Sequence, residues 1–79
     1  MKTKPITKNH QKKLEAIATY FRELRLNENI TQGEVSRETG LNRNTIYRIE
    51  TSKNFSVLTL LILSDLYHLS PSEIFSILD

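Results

Sequence analysis

The chain has 79 residues, 38% of them hydrophobic and 25% charged, with two glycines, two prolines and no cysteine. That length supports one small domain, which hides only ~60% of the surface its unfolded chain exposes, so pairing with another copy would add stability. Disulfides and thiolate zinc sites are excluded, the scarcity of Gly and Pro argues against a hairpin-rich β domain, and the net charge of +2 by itself says little about nucleic acid.

Charge is unevenly spread. Lys2, Lys4, Lys8, Lys12 and Lys13 give residues 1–13 a charge of +5 with no acid, whereas residues 51–79 carry −2. Residues 1–8 therefore read as a basic arm, either a solvated terminus or a polyanion contact. Residues 9–79 read as the folded domain. The longest apolar run, residues 57–63, is interrupted by Thr59 and falls well short of the ~20 residues a spanning helix needs. The N-terminus lacks the apolar stretch of a secretion signal, so a cytoplasmic location is expected.

Leu14, Ile17, Ala18, Phe21 and Leu24 recur at three and four residues. This spacing predicts one amphipathic helix, starting between residues 7 and 11 and stopping near residues 27–29. Thr31 with Glu34 has the capping-box form, and the short second helix should end at Gly40. Asn42 caps a third short helix carrying Ile46 and Ile49. Residues 51–56 read as a loop, and Ser56 opens a fourth helix to residue 67 or 68. Ser70, Pro71 and Glu73 give the clearest start signal, for a fifth helix running to residue 78.

Residues 32–50 carry a more specific pattern. Counting Gln32 as first, Val35 is fourth, Ser36 fifth, Gly40 ninth, Leu41 tenth, Ile46 fifteenth and Ile49 eighteenth. Two steeply crossed helices need a small residue at their closest approach, here Ser36. The turn between them needs a left-handed residue, which Gly40 supplies without Cβ strain. Val35, Leu41, Ile46 and Ile49 face inward. This is the helix-turn-helix pattern, whose second helix enters the DNA major groove.

The same residues resemble those of the phage repressor/Cro-type proteins, also called the xenobiotic-response-element family. The resemblance runs over roughly residues 14–78. It rests on Leu24-Arg25, Ile30-Thr31-Gln32, Glu34-Val35-Ser36, Thr39-Gly40-Leu41-Asn42, Thr45-Ile46 and Ile49-Glu50, with Leu60, Leu63-Ser64, Leu69-Ser70 and Ile74 beyond. It implies an all-α, five-helix lambda-repressor-like DNA-binding domain. The family often has Gly after the third-helix Glu and Pro a few residues later; Thr51, Ser52 and Phe55 stand here instead.

Placed on a helical wheel, Asn44, Tyr47 and Arg48 point away from Ile46 and Ile49, and Arg43 lies on the flank. The resemblance implies base reading by Asn42, Arg43, Asn44, Tyr47 and Arg48. Arg suits guanine and Asn suits adenine. Thr31, Gln32, Thr45, Lys53 and Asn54 are the candidate DNA-backbone contacts. The family also implies a partly buried ion pair between Arg25 and Glu50, structural in role.

The fourth helix carries more apolar surface than one core needs. Val57, Leu60, Leu63 and Tyr67 are expected to face the core, and Leu58, Ile62 and Leu66 form a second stripe. With Phe75 and Leu78 of the fifth helix, that stripe is the expected dimer surface. Together these features predict a transcriptional repressor of phage or other mobile-element origin. It would bind a pseudo-palindromic operator as a homodimer in a bacterial or phage-infected cell. No cofactor, metal, small-molecule ligand or membrane partner is expected. The alternative is an antitoxin or adaptor module that holds a protein partner with helices four and five. His10 and His68 have no plausible nucleophile or carboxylate constellation near them in sequence, so an enzyme is not expected.

Overall fold

The computed structural model describes residues 7–79, and the basic stretch of residues 1–6 lies outside them. Five helices follow one another: α1 (Lys8–Asn27), α2 (Gln32–Thr39), α3 (Arg43–Glu50), α4 (Val57–Leu66) and α5 (Pro71–Ile77). The described residues contain no strand, so the domain is all-α. Among the described residues no helix is long and apolar enough to cross a membrane.

Each helix begins where a side chain satisfies an orphan amide. The Thr31 hydroxyl accepts from the Glu34 N–H at 3.0 Å, and the Glu34 carboxylate accepts from the Thr31 N–H at 3.1 Å. Ser70 and Glu73 repeat this arrangement at α5, with Pro71 at its first position. Ser56 caps α4 by accepting from the Thr59 N–H. At α1 the reciprocal partner is unusual: the His10 ring Nδ1 accepts from the Thr7 N–H at 3.4 Å. Such caps are each worth about 1 kcal/mol.

The ends of α1 to α4 use left-handed residues. Gly40 closes α2 with φ 76°. Asn29, Ser52 and His68 take φ values of 56°, 66° and 56° after α1, α3 and α4. In each case the next N–H reaches back five residues along the helix end, from Ile30 to Arg25, Lys53 to Arg48 and Leu69 to Ser64. This is the Schellman motif, usually built on glycine. Ser52 is the least suited of the three, because Asn and His enter this region more readily.

The core is Ile17, Phe21, Val35, Ile46, Ile49, Leu63, Tyr67 and Ile74. Val35, Ile46 and Ile49 are fully buried, and α3 packs against both α1 and α2. Burying each such side chain contributes about 1.5–3 kcal/mol. Tyr67 packs its ring 6.0 Å from that of Phe21. Its phenol pKa is pushed up to about 12, first by burial and then by the charges of Glu50 and Glu28, against the opposing pull of Arg25.

The orientation of α4 differs from the expected one. Thr59, Leu63 and Ser64 are buried, whereas Val57 is 71% exposed. Val57 therefore does not face the core. Apolar residues surround most of this helix, so their spacing carries no direction. Two small polar residues turn inward instead because their hydroxyls have partners nearby. Ser64 donates to the Leu60 carbonyl at 2.7 Å, and the Thr59 hydroxyl lies 3.1 Å from that of Ser56. Small buried side chains let α4 approach its neighbours closely.

The residues of the expected dimer stripe differ in exposure. Leu66 and Leu78 pack, half-buried, against the core, and Ile62 is half-buried as well. Leu58 and Phe75 remain outside, at 65% and 66% exposure, together with Val57 and Leu61. A shallow apolar groove runs between α4 and α5, with Val57, Leu60, Leu61, Leu69, Ile74 and Phe75 among its walls.

Candidate nucleic-acid interface

Glu50, the last residue of α3, joins three helices. Its carboxylate accepts from the Arg25 Nε at 2.9 and 3.1 Å and from Arg25 Nη2 at 3.0 Å. It also accepts from the Gln32 carboxamide at 3.2 Å. The Arg25 side chain is 13% exposed and that of Glu50 4%. Arg25 Nη1 further donates to the Ile30 carbonyl at 3.0 Å, which ties down the α1–α2 turn. A buried carboxylate is tolerable only when its lone pairs are satisfied, and here they are.

Arg22 was not evident as a functional or structural residue from sequence. Its Nη1 donates to the Glu50 carbonyl at 3.4 Å, one helical turn before Arg25 on the same face of α1. The three-residue interval between the two arginines is the signal that could have found it.

The α2–α3 turn is held by hydroxyls. Ser36 donates to the Leu41 carbonyl, so it does more than fill little space. Thr39 donates to the Val35 carbonyl at 2.7 Å and accepts from the Leu41 N–H at 3.1 Å. These bonds and the left-handed Gly40 set the angle at which α3 leaves α2.

Arg43, Asn44, Tyr47 and Arg48 all lie exposed on α3. Glu50, the one acid of that helix, is buried and neutralised, so the outer face of α3 carries no negative charge. Such a face does not repel phosphate. Thr45 is half-buried beside it.

The remaining candidates divide. The Asn42 Oδ1 accepts from the Asn44 N–H at 2.8 Å, so this oxygen is engaged in capping α3. The Gln32 amide nitrogen is engaged with Glu50. At the head of α2, Thr31 takes the N–H groups of Glu34 and Val35, leaving those of Gln32 and Gly33 directed along the helix axis. Arg48 is tied to the loop that follows α3. Its carbonyl accepts from the Lys53 N–H at 2.8 Å, and its Nε donates to the Asn54 carbonyl at 3.3 Å. Lys53 and Asn54 are exposed on that loop. Arg48, Lys53 and Asn54 therefore form one polar group at the far end of α3, and Arg43 stands at the near end with its guanidinium beside the head of α2. The N–H groups, cations and amides at the two ends match the acceptors that a DNA backbone and its groove edges present.

The family model HTH_3, described as Helix-turn-helix, matches residues 21–74. No curated protein and no solved structure matches the chain.

Proposed function

We propose, because the chain belongs to the Cro/C1-type helix-turn-helix family of DNA-binding transcription regulators, that it acts as a repressor occupying a pseudo-palindromic operator as a homodimer. The observation that carries this reading is the exposed, acid-free outer face of α3 with Arg43, Asn44, Tyr47 and Arg48. Arg43 and Asn44, in the first turn of α3, read base edges in the major groove. Tyr47 packs beside them, and Arg48 reads from the last turn while held by the loop. Asn42 contributes through its free amide nitrogen. Thr31, Gln32, Thr45, Lys53 and Asn54 meet the flanking phosphates, with Gln32 doing so through its main-chain N–H.

Dimerisation is supported by the apolar surface on α4 and α5, where Val57, Leu58, Leu61 and Phe75 all stand more than half exposed. A two-fold dimer sets its recognition helices ~34 Å apart, so inverted half-sites about one helical turn apart are expected in the DNA.

The test is binding to the DNA flanking the chain's own gene. Wild-type protein should select an inverted repeat, and Arg43→Ala combined with Arg48→Ala should erase that preference while helix content is retained. Unchanged preference in the double variant removes the groove assignment. Sedimentation of the free protein checks the dimer: a monomer that becomes well-behaved only with a protein partner favours an antitoxin or adaptor instead.

A further inference from the structure

Gly33 is the second residue of α2, and Arg43 is the first residue of α3. A β-carbon built on Gly33 would lie 3.8 Å from Arg43 Cζ, 3.9 Å from Arg43 Nε and 3.7 Å from the Thr31 hydroxyl oxygen. The guanidinium therefore lies beside the head of α2, in contact with the point from which a side chain at position 33 would extend. Glycine is a poor helix former, and position 33 is not among the residues of positive φ. Its backbone conformation does not call for glycine. The close approach of Arg43 gives the absence of a side chain a use.

We infer that Gly33 is a positioning residue for DNA reading: by leaving the head of α2 open, it lets Arg43 lie there and so determines which base pair Arg43 addresses. This rests on the reading of Arg43 as a base contact. The backbone of Arg43 is fixed by the Asn42 cap, whose oxygen holds the Asn44 N–H at 2.8 Å. What remains free is the course of the long side chain. An alanine at position 33 stays in ordinary van der Waals contact with the guanidinium. A leucine enters its place and forces Arg43 into another rotamer, aimed at a different part of the groove. The second position of a helix-turn-helix thereby tunes specificity without touching DNA.

The experiment selects binding sites from a randomised DNA pool with the full chain. It compares wild type, Gly33→Ala, Gly33→Leu, Arg43→Ala and the Gly33→Leu/Arg43→Ala double variant, with circular dichroism as the check on folding. Arg43→Ala should flatten the preference at one base pair of each half-site by about 5- to 150-fold. Gly33→Leu should change the preference at that same base pair, and Gly33→Ala should keep it. In the double variant the leucine should add nothing, because its effect passes through Arg43. The inference is overturned if Gly33→Leu leaves that base pair's preference intact, or weakens binding equally with and without Arg43; the base-reading role of Arg43 then still stands. It is also overturned if Gly33→Ala acts as strongly as leucine. If Arg43→Ala changes no preference, the base-reading role fails and the inference fails with it. Gly33→Gln, polar and equally long, gives the same comparison should the leucine variant lose helix content.

Discussion

Around Glu50 the helices are positioned by directional bonds, and around α4 they are positioned by apolar burial. Glu50 accepts from Arg25 and Gln32 through its carboxylate and from Arg22 through its carbonyl, so three side chains must arrive at defined angles. On α4, Leu63 and the neighbouring hydroxyls are enclosed by packing, and the helix has apolar side chains on nearly every side. The first arrangement specifies an orientation and tolerates little chemical change. The second tolerates apolar exchange and specifies orientation weakly. A recognition helix that must aim its side chains at base edges gains from the first kind of support. A surface that meets a second apolar surface can rely on the second.

The largest expected effect tests the polar joint. Glu50→Gln keeps the shape of the side chain but leaves the enclosed Arg25 without its counter-charge, and should cost about 3–5 kcal/mol in urea unfolding. A loss near zero would remove the contrast between the two regions.

Tyr67 belongs to both regions, since it ends α4 and lies within reach of the Glu50 charge. Its folded pKa of about 12 stands above the ordinary 10.0. The folded state thus favours the protonated phenol, and the stability this gives is fully present below pH 10 and is lost as the pH rises towards 12. The loss should be roughly 2–3 kcal/mol. It is read as the difference between wild type and Tyr67→Phe in denaturant unfolding at pH 9 and above, where lysine titration is common to both. A difference that stays constant with pH would show that Tyr67 does not ionise at the expense of the fold.

Gly40→Ala should cost about 1–2 kcal/mol. Nothing lies within 4 Å of the added carbon, so the whole cost is the left-handed backbone. A cost well below this, in thermal unfolding, would mean that the turn can relax. Leu63→Met, by contrast, should cost under about 1.5 kcal/mol, because it conserves volume in a region held by packing. If it costs as much as Glu50→Gln, the two regions are equally exacting. The smallest effect is a gain. Ser52→Gly relieves a left-handed serine and should stabilise the protein by up to about 1 kcal/mol, seen as a rise in Tm.

Much of the fold was legible because helix ends are written locally. Thr31 with Glu34, Asn42, Ser56 and Ser70 with Glu73 mark starts within four residues of the amides they serve. The helix-turn-helix was legible for a similar reason: Val35, Gly40, Ile46 and Ile49 lie close together in the chain, and their spacing carries the geometry. On the candidate interface, exposure of Arg43, Asn44, Tyr47 and Arg48 followed from the buried positions of Ile46 and Ile49. The engagement of Gln32 with Glu50, of Arg48 with Asn54 and of Arg22 with the end of α3 did not, because each depends on a partner brought near by folding.

The amino-acid sequence by itself determined where the helices start and stop, and which face of α3 is polar, since caps, turns and amphipathic spacing act over a few residues. Only the tertiary structure decided which side of α4 turns inward. With apolar residues all round, the choice falls to fit: Thr59 and Ser64 are small enough for close approach and satisfy their hydroxyls locally, while Val57, Leu58 and Leu61 are left outside. The same reason places Arg43 over Gly33, where two helices separated by a turn present one side chain with room that the other residue does not fill.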